Sequence, residues 1–268
     1  MLWYHIVFLA LIQGLTEFLP VSSSAHLILP AQLFDWADQG LAFDVAVHVG
    51  TLTAVVTYFW RDIWNVANGW IASLVTRRST DDSRLGWWII IATLPACVAG
   101  YVFESFIETH LRSMEVIAYA TIGFGVLLWV SDRFFPSHFE QQDFSLKSVL
   151  FVGFAQALAL IPGTSRSGIT MTAARFLGFS RASAARFSFL LSIPLILAAG
   201  GLKFLELISS NTEVGWSAII SGVVLSAFSA YLCIYLFLKW LNKIGFLPFM
   251  IYRLVLGVAL LIVVNLGR

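Results

Sequence analysis

Eight windows dominated by apolar residues, at about 1–20, 43–60, 87–104, 115–131, 146–162, 183–201, 216–238 and 248–265, divide this chain. A helix rises 1.5 Å per residue, so roughly 18–20 apolar residues cross the ~30 Å hydrocarbon core of a bilayer. Backbone at that depth must satisfy its own hydrogen bonds, which leaves helices as the simplest way for such windows to fold. The expected fold class is therefore an all-α polytopic membrane protein. Composition agrees: 59% of the residues are hydrophobic and 12% charged, against about 25% charged in soluble domains. The polar stretches Arg77–Asp82 and Asp132–Asp143 read as loops too short for a soluble domain, so residues 1–268 form one integral membrane domain. The basic residues make no stripe, which argues against nucleic-acid binding. The first 18 residues have no Lys or Arg and run straight into polar residues, which is not a signal-peptide pattern. Cys97 and Cys233 lie far apart in apolar segments and are expected to be small core residues.

Two segments resist assignment as plain spans. Val21–Phe34 and Ser165–Phe179 each follow a proline and a serine-rich break and are too short to cross. Either the breaks are loops after eight full spans, or each is the turn of a re-entrant helix-loop-helix hairpin, leaving six spans. Cationic residues decide. Eight spans distribute Lys and Arg almost evenly. Six spans collect Arg61, Arg77, Arg78, Arg84, Arg133, Lys147, Arg181, Arg186, Lys239 and Lys243 on one side, against Arg112, Lys203 and Arg268 on the other. Arg166, Arg175 and Arg253 then lie within membrane elements. That asymmetry obeys the positive-inside rule and puts both termini outside the cytoplasm. Each half becomes one hairpin plus three spans, so the halves (about 1–131 and 146–265) insert with opposite topology. An ungapped match supports the repeat, placing Gln13 on Gln156, Ser22 on Ser165 and Ser24 on Ser167.

Chemistry concentrates at the breaks, in Gln13–His26 (QGLTEFLPVSSSAH) and Gln156–Thr170 (QALALIPGTSRSGIT). Ser22, Ser23 and Ser24 in one, and Ser165 and Ser167 in the other, are placed to cap a new helix. Free N–H groups and the positive dipole end of such a helix favour phosphate, and Arg166 adds a fork-shaped cation. Glu17, four residues after Gln13, shares its helix face; the pair is expected to hold a hard divalent cation with diphosphate oxygens and water. His26 is a candidate general acid or base, tunable by Glu17, and Ser23 a candidate nucleophile or phosphate donor. Structural readings stand beside these. Serines in membrane helices often bond their own backbone, and a lone histidine is often a packing residue. His5, His48, His110 and His138 are read that way, Arg253 and Asp44 as a structural ion pair or interfacial anchors, and Arg175, Arg181 and Arg186 as cytoplasmic-side anchors.

QGLTEFLPVSSSAH resembles the (Glu/Gln)xxxE motif with its following serine-rich turn and histidine in the undecaprenyl pyrophosphate phosphatase, or bacitracin-resistance, family. PGTSRSGIT at Pro162–Thr170 is similar to that family's PGxSRSxxT motif. The likeness extends through FxVAVxxGTLxAVVxYFWR at Phe43–Arg61 and FLPFxIYR at Phe246–Arg253. The resemblance implies a hydrolase of the bacterial inner membrane that converts undecaprenyl diphosphate to the monophosphate carrier lipid for cell-wall synthesis. It also implies bacitracin resistance through the shared substrate, a divalent cation (Mg2+ or Ca2+), and a site facing the periplasmic side. By position, Gln13 and Glu17 would be the metal-binding motif, Ser23 and His26 the catalytic pair, and Ser165, Arg166, Ser167 and Thr170 the phosphate cradle. Gln13 stands where many members have Glu, and Ser24-Ala25 where Thr-Gly or Ser-Gly is common. Expected partners are the polyprenyl diphosphate lipid, the bilayer and a second copy of the chain as a homodimer. A transporter or lipid flippase on the same inverted repeat is the rival reading. The other lipid phosphatase superfamily is discarded, because its KxxxxxxRP motif is missing.

Overall fold

The computed structural model describes residues 2–34, 36, 40–209 and 215–266, with residues 31–34 described by their backbone only. Eleven α-helices and no β-strand occur among them: α1 (Trp3–Phe18), α2 (Ser23–Phe34), α3 (Leu41–Tyr58), α4 (Trp60–Thr76), α5 (Asp81–His110), α6 (Met114–Phe134), α7 (Leu146–Ala157), α8 (Arg166–Phe176), α9 (Arg181–Ser209), α10 (Trp216–Ile244) and α11 (Leu247–Leu266). By length and composition, α3, α5, α6, α9, α10 and α11 can cross a membrane. The other apolar helices are shorter: α1 has 16 residues, α2 and α7 have 12 each, and α8 has 11.

Two loop assignments need correction. The stretch before Arg77 contains α4, which buries none of its residues, and α5 already begins at Asp81 behind a Thr80–Ser83 capping box. Asp132 belongs to α6, and Gln141–Asp143 make a 3-10 turn. The apolar tally misses α4 because Arg61, Asp62, Asn65 and Asn68 interrupt its apolar residues.

The long helices pack through small residues, as expected where lipid removes the hydrophobic drive between helices. A Cβ on Gly14 of α1 would meet the Ser226 carbonyl of α10 at 2.5 Å, and one on Gly50 of α3 would meet Val223 O at 2.4 Å. Several pairings correspond when the halves are exchanged: α1 with α10 and α7 with α5, α3 with α10 and α9 with α5, α1 with α2 and α7 with α8. The pairs α3 with α9 and α6 with α11 correspond to themselves, while α4 has no counterpart.

Ion pairs fix the ends of the bundle. Arg181 at the start of α9 grips both carboxylate oxygens of Asp132 near the end of α6, at 2.6 and 2.8 Å, and the same carboxylate accepts the Phe246 N–H before α11. Arg186 pairs with Asp62. Lys203 in α9 pairs with Asp44 in α3 at 3.7 Å, far along both helices from those contacts. Arg175, read as an anchor, is instead 3% exposed: it pairs with Asp132 at 3.4 Å and donates to the carbonyls of Phe135 and Phe179. Arg268 lies outside the described residues. The main core joins Phe18, Phe59, Leu128, Met171, Phe189, Phe237 and Phe246, drawn from both halves of the chain. Cys97 and Cys233 are free thiols.

Candidate functional site

The chain breaks between α1 and α2 and between α7 and α8, and the breaks share a backbone signature. Ser22 and Ser165 adopt φ of +74° and +71°, the left-handed region that costs an L-residue about 1–2 kcal/mol. Each hydroxyl lies 3.2 Å from that of the serine two residues on, Ser24 or Ser167. Ser165 Oγ accepts the Gly168 N–H at 3.1 Å, capping α8. Gln13 and Gln156, matched in the sequence alignment, are both fully buried, and in both the amide oxygen has no partner.

Glu17, in the last turn of α1, joins the two breaks. Its Oε2 accepts from Ser23 Oγ at 2.7 Å and Gln13 Nε2 at 3.0 Å, while Oε1 accepts from Arg166 Nη2 at 3.3 Å. Arg166 is held from its other side by donation of Nη1 to Ser188 O in α9 at 2.9 Å. Both charged side chains are about nine-tenths buried, so the attraction acts with little screening by water. They face a cavity of about 190 Å³ whose polar wall is Glu17, Ser22, Ser23, Ser24, Ser165 and Arg166, with Gln156 and His48 beside them. The first residues of α2 and α8 therefore both open onto it, bringing unpaired helix N–H groups from two directions.

Beneath the cavity, Arg253 of α11 is fully buried and ties the breaks together. It donates to Pro20 O in the first break at 3.1 Å, to Gly163 O in the second at 2.8 Å, and to Thr121 O in α6 at 2.9 Å. Asp44, its expected partner, pairs with Lys203 instead. A carbonyl buried in hydrocarbon with no donor costs about 1–3 kcal/mol, so Arg253→Met should destabilise the fold by at least about 3 kcal/mol. Thermal unfolding in detergent would register this, and Arg253→Lys should restore only part of it, because an ammonium lacks the fork that reaches three carbonyls.

His26 lies outside this cluster. Its Nδ1–H donates to Ser22 O at 2.7 Å, and its Nε2 meets Tyr252 Oη of α11 at 2.5 Å. Ser167 and Thr170 also point elsewhere: Ser167 Oγ donates to Leu19 O at 2.9 Å, and Thr170 Oγ1 lies 2.7 Å from Ser188 Oγ.

Comparison with known proteins places this architecture. The sequence model of the family described as "Bacitracin resistance protein BacA" matches residues 6–259. The chain belongs to this family. Proteins named undecaprenyl-diphosphatase from Teredinibacter turnerae and Hahella chejuensis are each 61% identical to it, over 97% and 98% of this chain and 98% of each relative. One named undecaprenyl-diphosphatase 2, from Stutzerimonas stutzeri, is 59% identical over 96% of this chain and 97% of its own length. With six apolar helices of spanning length, this member of the bacitracin resistance family is a multi-pass membrane protein.

Within this family member, two contributors were not assigned to the site from sequence: Arg253 and His48. Arg253 belongs to the quoted IYR motif, so a signal existed; His48 carried none, since a histidine on an apolar helix looks like packing. No cluster of three or more His, Cys, Asp or Glu side chains suited to a metal occurs among the described residues. The orphaned amide oxygen of Gln13 beside the Glu17 carboxylate does fit a cation that takes most of its oxygen shell from substrate phosphates and water, as Mg2+ commonly does.

Proposed function

We infer that this chain hydrolyses undecaprenyl diphosphate to undecaprenyl phosphate and inorganic phosphate, recycling the carrier lipid for cell-wall synthesis and conferring bacitracin resistance. The observation that carries the reading is Glu17, which holds a serine hydroxyl at 2.7 Å and a guanidinium at 3.3 Å beside two helix N-termini. Relatives of this name at about 60% identity over nearly the full length support it.

The terminal phosphate sits between Ser23 and Arg166. Glu17 takes the proton of Ser23 Oγ as that oxygen attacks phosphorus in line; the bond to the bridging oxygen breaks, and Glu17 gives its proton to the departing lipid monophosphate. Water then attacks the phosphoserine, with Glu17, again a carboxylate, accepting its proton and returning it to Ser23 Oγ as inorganic phosphate leaves. Direct attack by water would use the same base. Arg166 and the N–H groups at the starts of α2 and α8 balance the charge on the phosphoryl oxygens. Gln13 and Glu17 would hold a divalent cation, which when bound neutralises charge on the diphosphate. His26 braces Ser22 and so sets the backbone that presents Ser23.

The site is assigned to two re-entrant hairpins, α1–α2 and α7–α8, within an inverted repeat whose termini and active-site opening are periplasmic. The Lys and Arg asymmetry supports the periplasmic orientation, and three observations support the hairpins and the repeat. The paired contacts survive exchange of the halves, the two breaks share a left-handed serine, and Asp62, next to Arg61, pairs with Arg186, which eight spans would put on opposite sides. Purified protein with Mg2+ or Ca2+ should release phosphate from undecaprenyl diphosphate and lose most of that activity to a chelator. Release unchanged by chelation would remove the cation, and no release from the metal-supplied protein would overturn the enzyme reading.

A further inference from the structure

We propose that the lipid tail of the substrate leaves the polar cavity through an apolar groove between α3 and α9, with its first isoprene units lying over Gly200 and Gly201. The proposal rests on the phosphatase reading and adds where the rest of the substrate goes. A second cavity of about 200 Å³ adjoins the polar one, and His48 and Ile196 line both. Helix α3 contributes Val45, Val49 and Leu52 to the second cavity, which with His48 make one stripe at helical spacing. Helix α9 contributes Leu197, Phe204 and the two glycines. Chemistry changes at the shared residues: serines, Glu17 and Arg166 lie on one side, and almost wholly apolar walls on the other. An amphiphile with a diphosphate head and a hydrocarbon chain has that polarity. Val49, Leu197 and Phe204 are exposed at the rim, so the groove opens sideways toward lipid. From Ile196 to Phe204 it follows eight residues of α9, about 12 Å, enough for the first isoprene units while the remainder of the chain stays in the bilayer.

The glycines are the second argument. Two adjacent glycines inside a helix lower its stability relative to alanine, so their presence calls for a reason. At Gly14 and Gly50 the reason is a neighbouring helix, whose backbone would clash with a Cβ. At Gly200 and Gly201, apart from adjacent residues and the helix's own backbone, nothing lies within 4 Å of where a Cβ would stand. The helix keeps a bare face toward the groove without using it for packing, which fits an occupant that is not part of this chain. His48 marks the boundary: its Nδ1–H is committed to Asp44 O at 2.7 Å, leaving Nε2 as the polar edge of the junction.

The test adds bulk where the protein leaves space. Gly200→Leu and Gly201→Leu should fold normally and raise KM for undecaprenyl diphosphate about tenfold, equivalent to excluding roughly two methylene groups from the groove, with kcat within about twofold. Gly123→Leu in α6, equally free of neighbours but lining neither cavity, should behave as wild type. Unchanged KM in folded Gly200→Leu and Gly201→Leu would overturn the groove. In parallel, wild-type protein would be photo-crosslinked with a prenyl diphosphate carrying a diazirine on its second isoprene unit. Label within 41–58 and 181–209 is expected, and label confined to other helices overturns the proposal. A wild type that binds the probe in the groove but releases no phosphate would sink the phosphatase reading and leave the groove standing.

Discussion

Arg166→Ala is expected to lower turnover of undecaprenyl diphosphate by about 10³-fold, the upper range for loss of one donor to developing phosphoryl charge. The guanidinium is the fixed cation at the cavity wall, and its two ends are anchored to Glu17 at 3.3 Å and Ser188 O at 2.9 Å. It reaches the diphosphate already oriented, without reorganisation at the moment of reaction. Alanine removes the charge and also leaves Glu17, nine-tenths buried, without its counter-ion. Arg166→Lys separates these effects: it restores a charge near Glu17 but not the two-point hold, so it should recover folding fully and rate only in part. Phosphate release from variants that remain monodisperse in detergent checks this. Arg166→Ala turning over within about tenfold of wild type would take Arg166 out of the reaction.

The sequence makes the helices legible because hydrocarbon imposes a length and an apolar composition that few other environments demand. The breaks are legible for the converse reason: Glu17, three successive serines and Arg166 are costly at membrane depth unless they do something. What sequence reading misassigns is what tertiary contact decides. Arg253 and Asp44 read, from sequence, as a structural ion pair or interfacial anchors; the guanidinium instead meets one backbone carbonyl from each break, Pro20 O and Gly163 O, and Thr121 O in α6, and nothing local announces that. His26 looked tunable by Glu17, nine residues earlier. Its ring meets Tyr252 instead, and the carboxylate is met by Ser23, Gln13 and Arg166. The helix α4 was missed because its apolar residues cover one face only, a pattern that a count of apolar residues in a window dilutes.

Glu17→Gln should have an effect as large as the loss of Arg166. The amide keeps the shape and can still meet Ser23 and Gln13, but it cannot accept the serine proton, and general-base removal costs about 10²–10⁴-fold. The substitution also weakens the attraction that holds Arg166 within reach of the first break and takes away the carboxylate beside the Gln13 oxygen, so the loss should lie toward the upper end. The change is isosteric and makes no cavity, but it leaves the buried Arg166 without its counter-ion, so the rate is read on protein that remains monodisperse in detergent. The central claim, that two chain breaks from opposite halves build one hydrolytic site around this carboxylate, is tested most directly by phosphate release from undecaprenyl diphosphate. The assay compares wild type with Glu17→Gln at saturating Mg2+ or Ca2+. The account predicts steady release by wild type and a rate lower by about 10³-fold in the variant; equal rates from the two proteins would contradict it.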